Sequence, residues 1–172
     1  PHSIGLFYSA MTQYLGFEVN VDEYKVMGLA PYGEARYVDR LLGEVIELKP
    51  DGSIALNLAY FDYTFGLRMI NERLYNHLGR PIRGRRDPLE QFHMDVAASV
   101  QEITTEAMLR LVQTAKALTG HDRLCLAGGV ALNCVATGAI YRKGLFRDIY
   151  VQPAAGDAGG AIGAALEIWH GV

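Results

Sequence analysis

The chain has 172 residues, of which 50% are hydrophobic and 20% are charged, and its formal net charge is -3. That length and apolar content are enough for one domain with a core of its own. The small negative charge excludes a surface that coats nucleic acid, and the lack of an eighteen-residue apolar run excludes a membrane span, so we expect neither partner.

The cysteines indicate the cellular location of the protein, and the chain ends indicate whether it is part of a longer polypeptide. Cys125 and Cys134 lack metal-finger spacing, and nothing resembles a secretory signal, so we expect a cytoplasmic protein without a structural disulfide. The chain starts at Pro1 without an initiator methionine and stops directly after a helical pattern. We therefore expect a segment of a longer polypeptide.

The first part of the chain predicts helices around one hairpin. Apolar residues at three- and four-residue steps predict a half-buried helix over 3–15, and a shorter helix is expected over 22–29. Strand-like runs at 44–48 and 54–59 flank a Pro-Asp-Gly turn, which favours a β-hairpin. Another short helix is expected over 69–77.

A basic stretch and a long helix follow. We expect an exposed loop around the arginines at positions 80, 83, 85 and 86. Asp87 is then a candidate N-cap, with Pro88 at the first helical position and Glu90 in the first turn. Helical spacing of apolar residues continues to Gly120, so this helix should span on the order of 45 Å and be the main packing helix.

The last fifty residues predict a strand, helix, strand and helix at 123–126, 132–142, 149–151 and 158–169. A glycine turn follows each strand. The strands are short and apolar, and the helix between them suits a crossover connection, so we expect a buried sheet with α/β character.

The first candidate site is the turn at Gly128 and Gly129, where a strand ends and a helix begins. Glycines let the backbone approach a ligand closely, and the free N–H groups of a helix start attract anionic oxygens, so a nucleotide fits. A tight turn without any ligand explains two glycines equally well.

The second candidate is Asp157, just before a helix built almost wholly of glycine and alanine. One interpretation is an N-cap carboxylate on a closely packed helix. The other starts from the sheet, because ligands of open α/β sheets bind beyond the carboxyl ends of the strands. Asp157 would then face the same crevice as the glycine turn, where a carboxylate can ligate the metal that accompanies phosphates.

Lys25 and the histidines are less specific signals. Lys25 is either a solvated surface lysine or a point charge for a phosphate. No two of the five histidines lie four residues apart, so any metal needs ligands from elsewhere.

Four stretches, at 2–9, 24–33, 127–133 and 152–160, resemble the nodulation and antibiotic O-carbamoyltransferases, in the order of that family and nearly end to end. The helix around 95–101 is similar to the tRNA threonylcarbamoyladenosine transferases, wider relatives with the same domain. The resemblance implies the C-terminal portion of an actin/Hsp70-like nucleotide-binding domain, with a central mixed β-sheet flanked by helices and an inserted hairpin.

The resemblance also implies a reaction. Family members form a carbamoyl-adenylate from carbamoyl phosphate and ATP in a YrdC-like domain, and then pass the carbamoyl group to a substrate hydroxyl. Carried over to this chain, the site has Asp157 on the metal, Gly156 beside it, Lys25 as a nucleotide contact, and the turn of Gly128, Gly129, Val130 and Asn133 beside the nucleotide. One carboxylate does not discriminate iron from magnesium or manganese.

This sequence departs from the family pattern by what it lacks. The paired metal-binding histidines belong to the first half of the family's domain, and this chain has neither them nor the YrdC-like part, so we expect it to be inactive alone. Two other interpretations stay open, namely an actin-like ATP-binding regulatory module and a sugar-kinase-like phosphotransferase. The second ranks lower because 152–160 looks less like a kinase phosphate loop.

Overall fold

The computed structural model describes residues 2–171, which form a mixture of α-helices and short β-strands. The helices are α1 Ile4–Tyr14, α2 Glu23–Leu29, α3 Val38–Glu44, α4 Glu72–Leu78, α5 Gln91–Thr119, α6 Cys134–Lys143 and α7 Gly159–Gly171. The strands are β1 Ile46–Leu48, β2 Ile54–Leu56, β3 Arg123–Leu126 and β4 Asp148–Val151. Short 3₁₀ turns cover Ala30–Tyr32, Leu58–Tyr60 and Gly129–Leu132. The α/β composition agrees with the sequence-based prediction.

The first helix forms where its periodicity predicts. Ser3 is the N-cap, and its Oγ accepts a hydrogen bond from the Gly5 N–H at 3.1 Å. The face that carries Phe7, Met11 and Tyr14 is buried in the core. Burying one apolar stripe of this kind is what stabilises a short helix.

The predicted hairpin is confirmed. β1 pairs with β2 in antiparallel register, Ile46 opposite Leu56, and Gly52 takes a φ of 86° in the connecting turn. A Cβ at Gly52 would lie 2.3 Å from the backbone nitrogen of Leu111, so the turn packs directly on α5.

Helix α5 supports two hydrophobic clusters along its length. Its first half contributes Phe92, Val96 and Ile103 to the larger cluster, which also contains α1 and the hairpin. Its second half contributes Met108 and Val112 to a smaller cluster with α6 and the inner face of β3 and β4. The role of main packing helix is therefore confirmed.

The predicted start of this helix is wrong. The Asp87 carboxylate does not cap the helix but accepts from the Gly84 N–H at 2.9 Å in the preceding loop. The helix begins three residues after Pro88, with Glu90 as its N-cap, and the Glu90 N–H donates to His93 Nδ1 at 3.0 Å. Its end is as predicted, because Gly120 is left-handed with a φ of 67°.

One arginine of the predicted exposed loop is buried. Arg83 donates from Nε to the Leu15 carbonyl at 2.6 Å and from its terminal nitrogen to the Asp87 carbonyl at 2.5 Å. Its guanidinium lies over the Phe17 ring, 5.0 Å from the centroid. The arginine closes the C-terminal end of α1 by bonding to a free carbonyl there.

The sheet is smaller and more open than predicted. β3 and β4 are parallel, as the crossover pattern predicts, but residues 2–171 form two separate two-stranded sheets instead of one central mixed sheet. The prediction of a buried sheet is also wrong, because Cys125 and Tyr150 on the outer face are exposed. Only the inner face meets a helix layer, so only that face is covered.

Helix α7 forms in the predicted place. Among the described residues of this helix none is buried, although most of its side chains are apolar or small. None of the helices in residues 2–171 combines the length and the apolar character that crossing a membrane requires.

Candidate functional site

The two glycine turns lie side by side at the carboxyl ends of β3 and β4. Leu126 pairs with Val151 at the last step of the parallel ladder. Beyond it, the Gly128 N–H donates to the Ala155 carbonyl at 2.7 Å, which joins the first turn to the second. Parallel strands bring their following loops to one edge of the sheet, and that edge is where α/β proteins bind ligands.

The glycines permit close approach at this edge. Gly128 has a φ of 96°, a conformation that L side chains rarely adopt, and a Cβ there or at Gly129 would have open space around it. A Cβ at Gly156 would lie 3.8 Å from Gly129 Cα. The structure thus brings Gly128, Gly129 and Gly156 together around an accessible backbone surface.

Gly129–Leu132 forms a 3₁₀ turn that leads into α6. The Ala131 N–H donates to the Gly128 carbonyl at 2.9 Å. The N–H groups that precede it at a helix start have no partner within the helix, which makes them available to an anion. The Val130 side chain packs toward α1, with Cγ2 3.4 Å from the position of a Cβ on Gly5.

Asp157 lies in the second turn, exposed to solvent. Since α7 begins at Gly159, Asp157 precedes the N-cap position and the capping interpretation does not apply. Within the described part of the chain its carboxylate has no hydrogen-bond or ion-pair partner. No group of three potential metal ligands exists in residues 2–171, and the contact of Asp157 with a metal stays a prediction.

Lys25 has an ionic partner within its own segment. Its Nζ forms an ion pair with Asp22 at 2.7 Å, and this hydrogen bond raises the pKa of Lys25. The same helix does reach the neighbourhood of the turn, since Met27 Sδ lies 3.7 Å from Cys134 Sγ at the start of α6. The contact of Lys25 with a nucleotide stays a prediction.

Asn133 has a structural role that the sequence did not indicate. It is the N-cap of α6, and its Oδ1 accepts from the Ala136 N–H at 3.0 Å. Its amide also pairs with the amide of Gln101, with Nδ2 donating to Gln101 Oε1 at 2.9 Å. Contact of Asn133 with a nucleotide likewise stays a prediction.

Sequence reasoning missed Gln101 and Tyr8 as part of this region. Both side chains are buried, and the Tyr8 hydroxyl donates to Gln101 Oε1 at 3.1 Å. Burial raises the pKa of Tyr8, the neighbouring amide of Asn133 opposes the rise, and the charge of Glu23 adds to it. The available signal was a glutamine between Val100 and Ile103 on the buried side of α5, where a polar group needs a partner.

The other end of the 95–101 stretch holds the loop that follows Ala30–Tyr32. Asp95 Oδ1 accepts from the Glu34 N–H at 2.9 Å, and Ser99 Oγ accepts from the Tyr37 N–H at 2.9 Å. Burial alone would raise the pKa of Asp95, but its hydrogen bonds from Glu34 and Gln91 and the charge of Arg36 together lower it. Helix α5 therefore contacts both the loop after Ala30–Tyr32 and, through Gln101, the start of α6.

Comparison with known proteins supplies the family. A model described as the carbamoyltransferase N-terminus matches residues 1–166. A protein of Synechocystis, sll1178, is 56% identical over 170 residues, covering 99% of this chain and 28% of its own length. Nodulation protein NolO of Bradyrhizobium diazoefficiens is 43% identical over 169 residues, covering 97% of this chain and 28% of its own.

A third relative, nodulation protein NolNO of Sinorhizobium fredii, is 42% identical over 166 residues, covering 95% of this chain. The chain spans about a quarter of the length of these relatives, between 22% and 28%. The resemblance stated from the motifs is confirmed, and the chain belongs to the carbamoyltransferase N-terminus family.

Proposed function

We propose that this chain is the C-terminal portion of an actin/Hsp70-like domain in an O-carbamoyltransferase. The intact protein would transfer a carbamoyl group from a carbamoyl-adenylate to the hydroxyl of a small-molecule acceptor. The adenylate would come from carbamoyl phosphate and ATP in a YrdC-like domain of the same polypeptide. The two free cysteines, Cys125 and Cys134, favour a reducing, cytoplasmic location.

The observation that supports this proposal most directly is the hydrogen bond from the Gly128 N–H to the Ala155 carbonyl, at 2.7 Å. It fixes two glycine turns beyond two parallel strands, with Asp157 exposed two residues further on. Backbone N–H groups for phosphate and a carboxylate for a cation thus share one edge of the sheet.

The chemistry of carbamoyl transfer explains the need for these groups. Negative charge develops on the carbonyl oxygen and on the departing phosphate in the transition state. The turn around Gly129 would stabilise the phosphate with backbone N–H groups, and Asp157 would help to hold a divalent metal. Lys25 would add a positive charge for the nucleotide after exchanging its ion pair with Asp22.

The reaction is tested in the intact polypeptide that contains this segment. It is incubated with carbamoyl phosphate, ATP and candidate hydroxyl acceptors, and the products are analysed by mass spectrometry. We expect a carbamoylated acceptor with release of AMP. Transfer of the γ-phosphate to the acceptor would identify a kinase instead, and ATP binding without any transfer would identify a regulatory module.

The role of Asp157 is tested by Asp157→Asn in the same polypeptide. Loss of one anionic ligand should raise the metal concentration for half-maximal turnover by tenfold or more, while the thermal midpoint stays within the error of the wild type, because the carboxylate has no partner to lose. Asp39→Asn removes another exposed carboxylate and should leave the metal dependence unchanged. An unchanged metal dependence in Asp157→Asn would remove this residue from the site.

A further inference from the structure

A pair of side-chain amides, of which Gln101 is buried and Asn133 is half-buried, lies behind the first glycine turn. Gln101 Nε2 donates to Asn133 Oδ1 at 3.1 Å, and Asn133 Nδ2 donates back to Gln101 Oε1 at 2.9 Å. Asn133 Oδ1 also accepts from the Ala136 N–H at 3.0 Å. Because a backbone N–H can only donate, this bond fixes which end of the Asn133 amide is oxygen, and the orientation of Gln101 follows.

Every hydrogen-bonding position of the Gln101 amide is occupied. Oε1 accepts a second bond from the Tyr8 hydroxyl, and Nε2 donates a second bond to Thr105 Oγ1, each at 3.1 Å. No buried side-chain nitrogen or oxygen in residues 2–171 lacks a partner. A buried network in which all members are satisfied is rigid, so α1, α5 and the start of α6 are locked together at this point.

A series of backbone hydrogen bonds connects the network to both glycine turns. The Asn133 N–H donates to the Val130 carbonyl at 3.0 Å, and the Ala131 N–H donates to the Gly128 carbonyl at 2.9 Å. The Gly128 N–H then donates to the Ala155 carbonyl in the second turn. Displacement of Asn133 would therefore change the direction of the N–H groups at the carboxyl edge of the sheet.

We propose that Gln101 is a positioning residue for the nucleotide site. It holds Asn133 at the N-cap of α6, and Asn133 in turn sets the conformation of the glycine turn that receives the phosphates. Gln101 itself touches no ligand, since its amide is fully bonded within the protein. This inference rests on the proposed function and assigns a role to a side chain that the motif resemblance left without one.

The test measures ATP binding locally, by hydrogen–deuterium exchange of the peptide that covers Gly128 to Asn133 in the intact polypeptide. ATP is titrated, and its concentration at half-maximal protection of this peptide is recorded for wild type and Gln101→Met. Methionine keeps the length of the side chain and removes all four hydrogen bonds. We expect the half-maximal ATP concentration to rise by tenfold or more.

The matched control is Gln113→Met, an exposed glutamine on the same helix, which should stay within twofold of the wild type. Simple destabilisation gives a different result from mispositioning. Reversible unfolding raises the apparent midpoint only by the reciprocal of the folded fraction, so a tenfold rise in a variant that circular dichroism shows to be mostly folded reports a misplaced turn.

Gln101→Glu provides a second variant in case the methionine protein does not fold. It keeps both acceptor bonds and loses both donor bonds, and we expect a midpoint shift in the same direction. Midpoints within twofold of wild type in the folded variants would overturn the positioning role and leave the proposed function standing. A wild-type protein without ATP-dependent protection at this peptide would overturn both.

Discussion

At the scale of single residues, the two glycines of the 24–33 stretch differ in how closely the backbone of α5 approaches them. A Cβ on Gly33 would lie 2.1 Å from the carbonyl oxygen of Met94 and 2.5 Å from the nitrogen of Asp95. These are backbone atoms of α5, which cannot rotate away. A Cβ on Gly28, within α2, meets nothing within 4 Å. Gly33 is therefore required for close packing, and Gly28 is not.

We predict that Gly33→Ala lowers the free energy of unfolding by about 1–3 kcal/mol, the usual cost of overpacking. Gly28→Ala is the control and should be neutral or should stabilise the chain by up to about 1 kcal/mol, because alanine favours a helix interior. Urea unfolding of both variants measures the difference. Equal midpoints for the two would show that the loop moves away from α5 at little cost.

At the scale of elements, the start of α5 combines a cap with a titratable group. The Glu90 N–H donates to His93 Nδ1, so this ring nitrogen must be unprotonated. Burial lowers the pKa of His93, and the charges of Arg83 and Arg80 lower it further, against the opposing charge of Glu90. The folded protein thus binds a proton at His93 less readily than the unfolded chain, whose histidines have a pKa of about 6.5.

The sign of the pH effect follows from this difference. The contribution of His93 to stability is fully present above about pH 6.5 and is lost as pH falls toward its lowered folded pKa. His93→Gln replaces the acceptor with one that does not titrate, so its free energy of unfolding should fall less steeply between about pH 7 and pH 5. Exposed His121→Gln should keep the wild-type slope. Parallel slopes for wild type and His93→Gln would contradict this account.

Local sequence signals predicted the positions of helices and strands better than the contacts that these elements make. Turn chemistry and apolar periodicity were sufficient for the hairpin, for α1 and for the stop of α5 at Gly120, because each depends on nearby residues. The predicted start of α5 was wrong because the Asp87 carboxylate bonds to Gly84, while Glu90 is the N-cap and forms a capping box with His93. Gln101 could not be predicted as a link to Asn133, since its partner lies 32 residues away and only the packed structure brings them together.

At the scale of the whole molecule, the covered and uncovered surfaces are unevenly distributed. The residues at the centre of the two clusters on α5 are buried. Helix α7 instead exposes 43–78% of the surface of Ile162, Leu166, Ile168 and Trp169. Tyr150 on the outer face of β4 is 55% exposed. An apolar helix is normally covered by another layer, and none of residues 2–171 buries this one.

We therefore predict that the 172-residue chain in isolation self-associates through α7. Removing apolar surface from water is worth about 25 cal/mol per Å², so pairing of such helices in two copies offsets the cost of association at high protein concentration. Leu166→Lys with Ile168→Lys should keep the chain monomeric in sedimentation velocity, with an unchanged urea midpoint. Leu67→Lys, an equally apolar and fully exposed site away from α7, should associate like the wild type. A wild-type chain that stays monomeric throughout the concentration series, or a Leu67→Lys chain that also loses association, would show that α7 is not the contact surface.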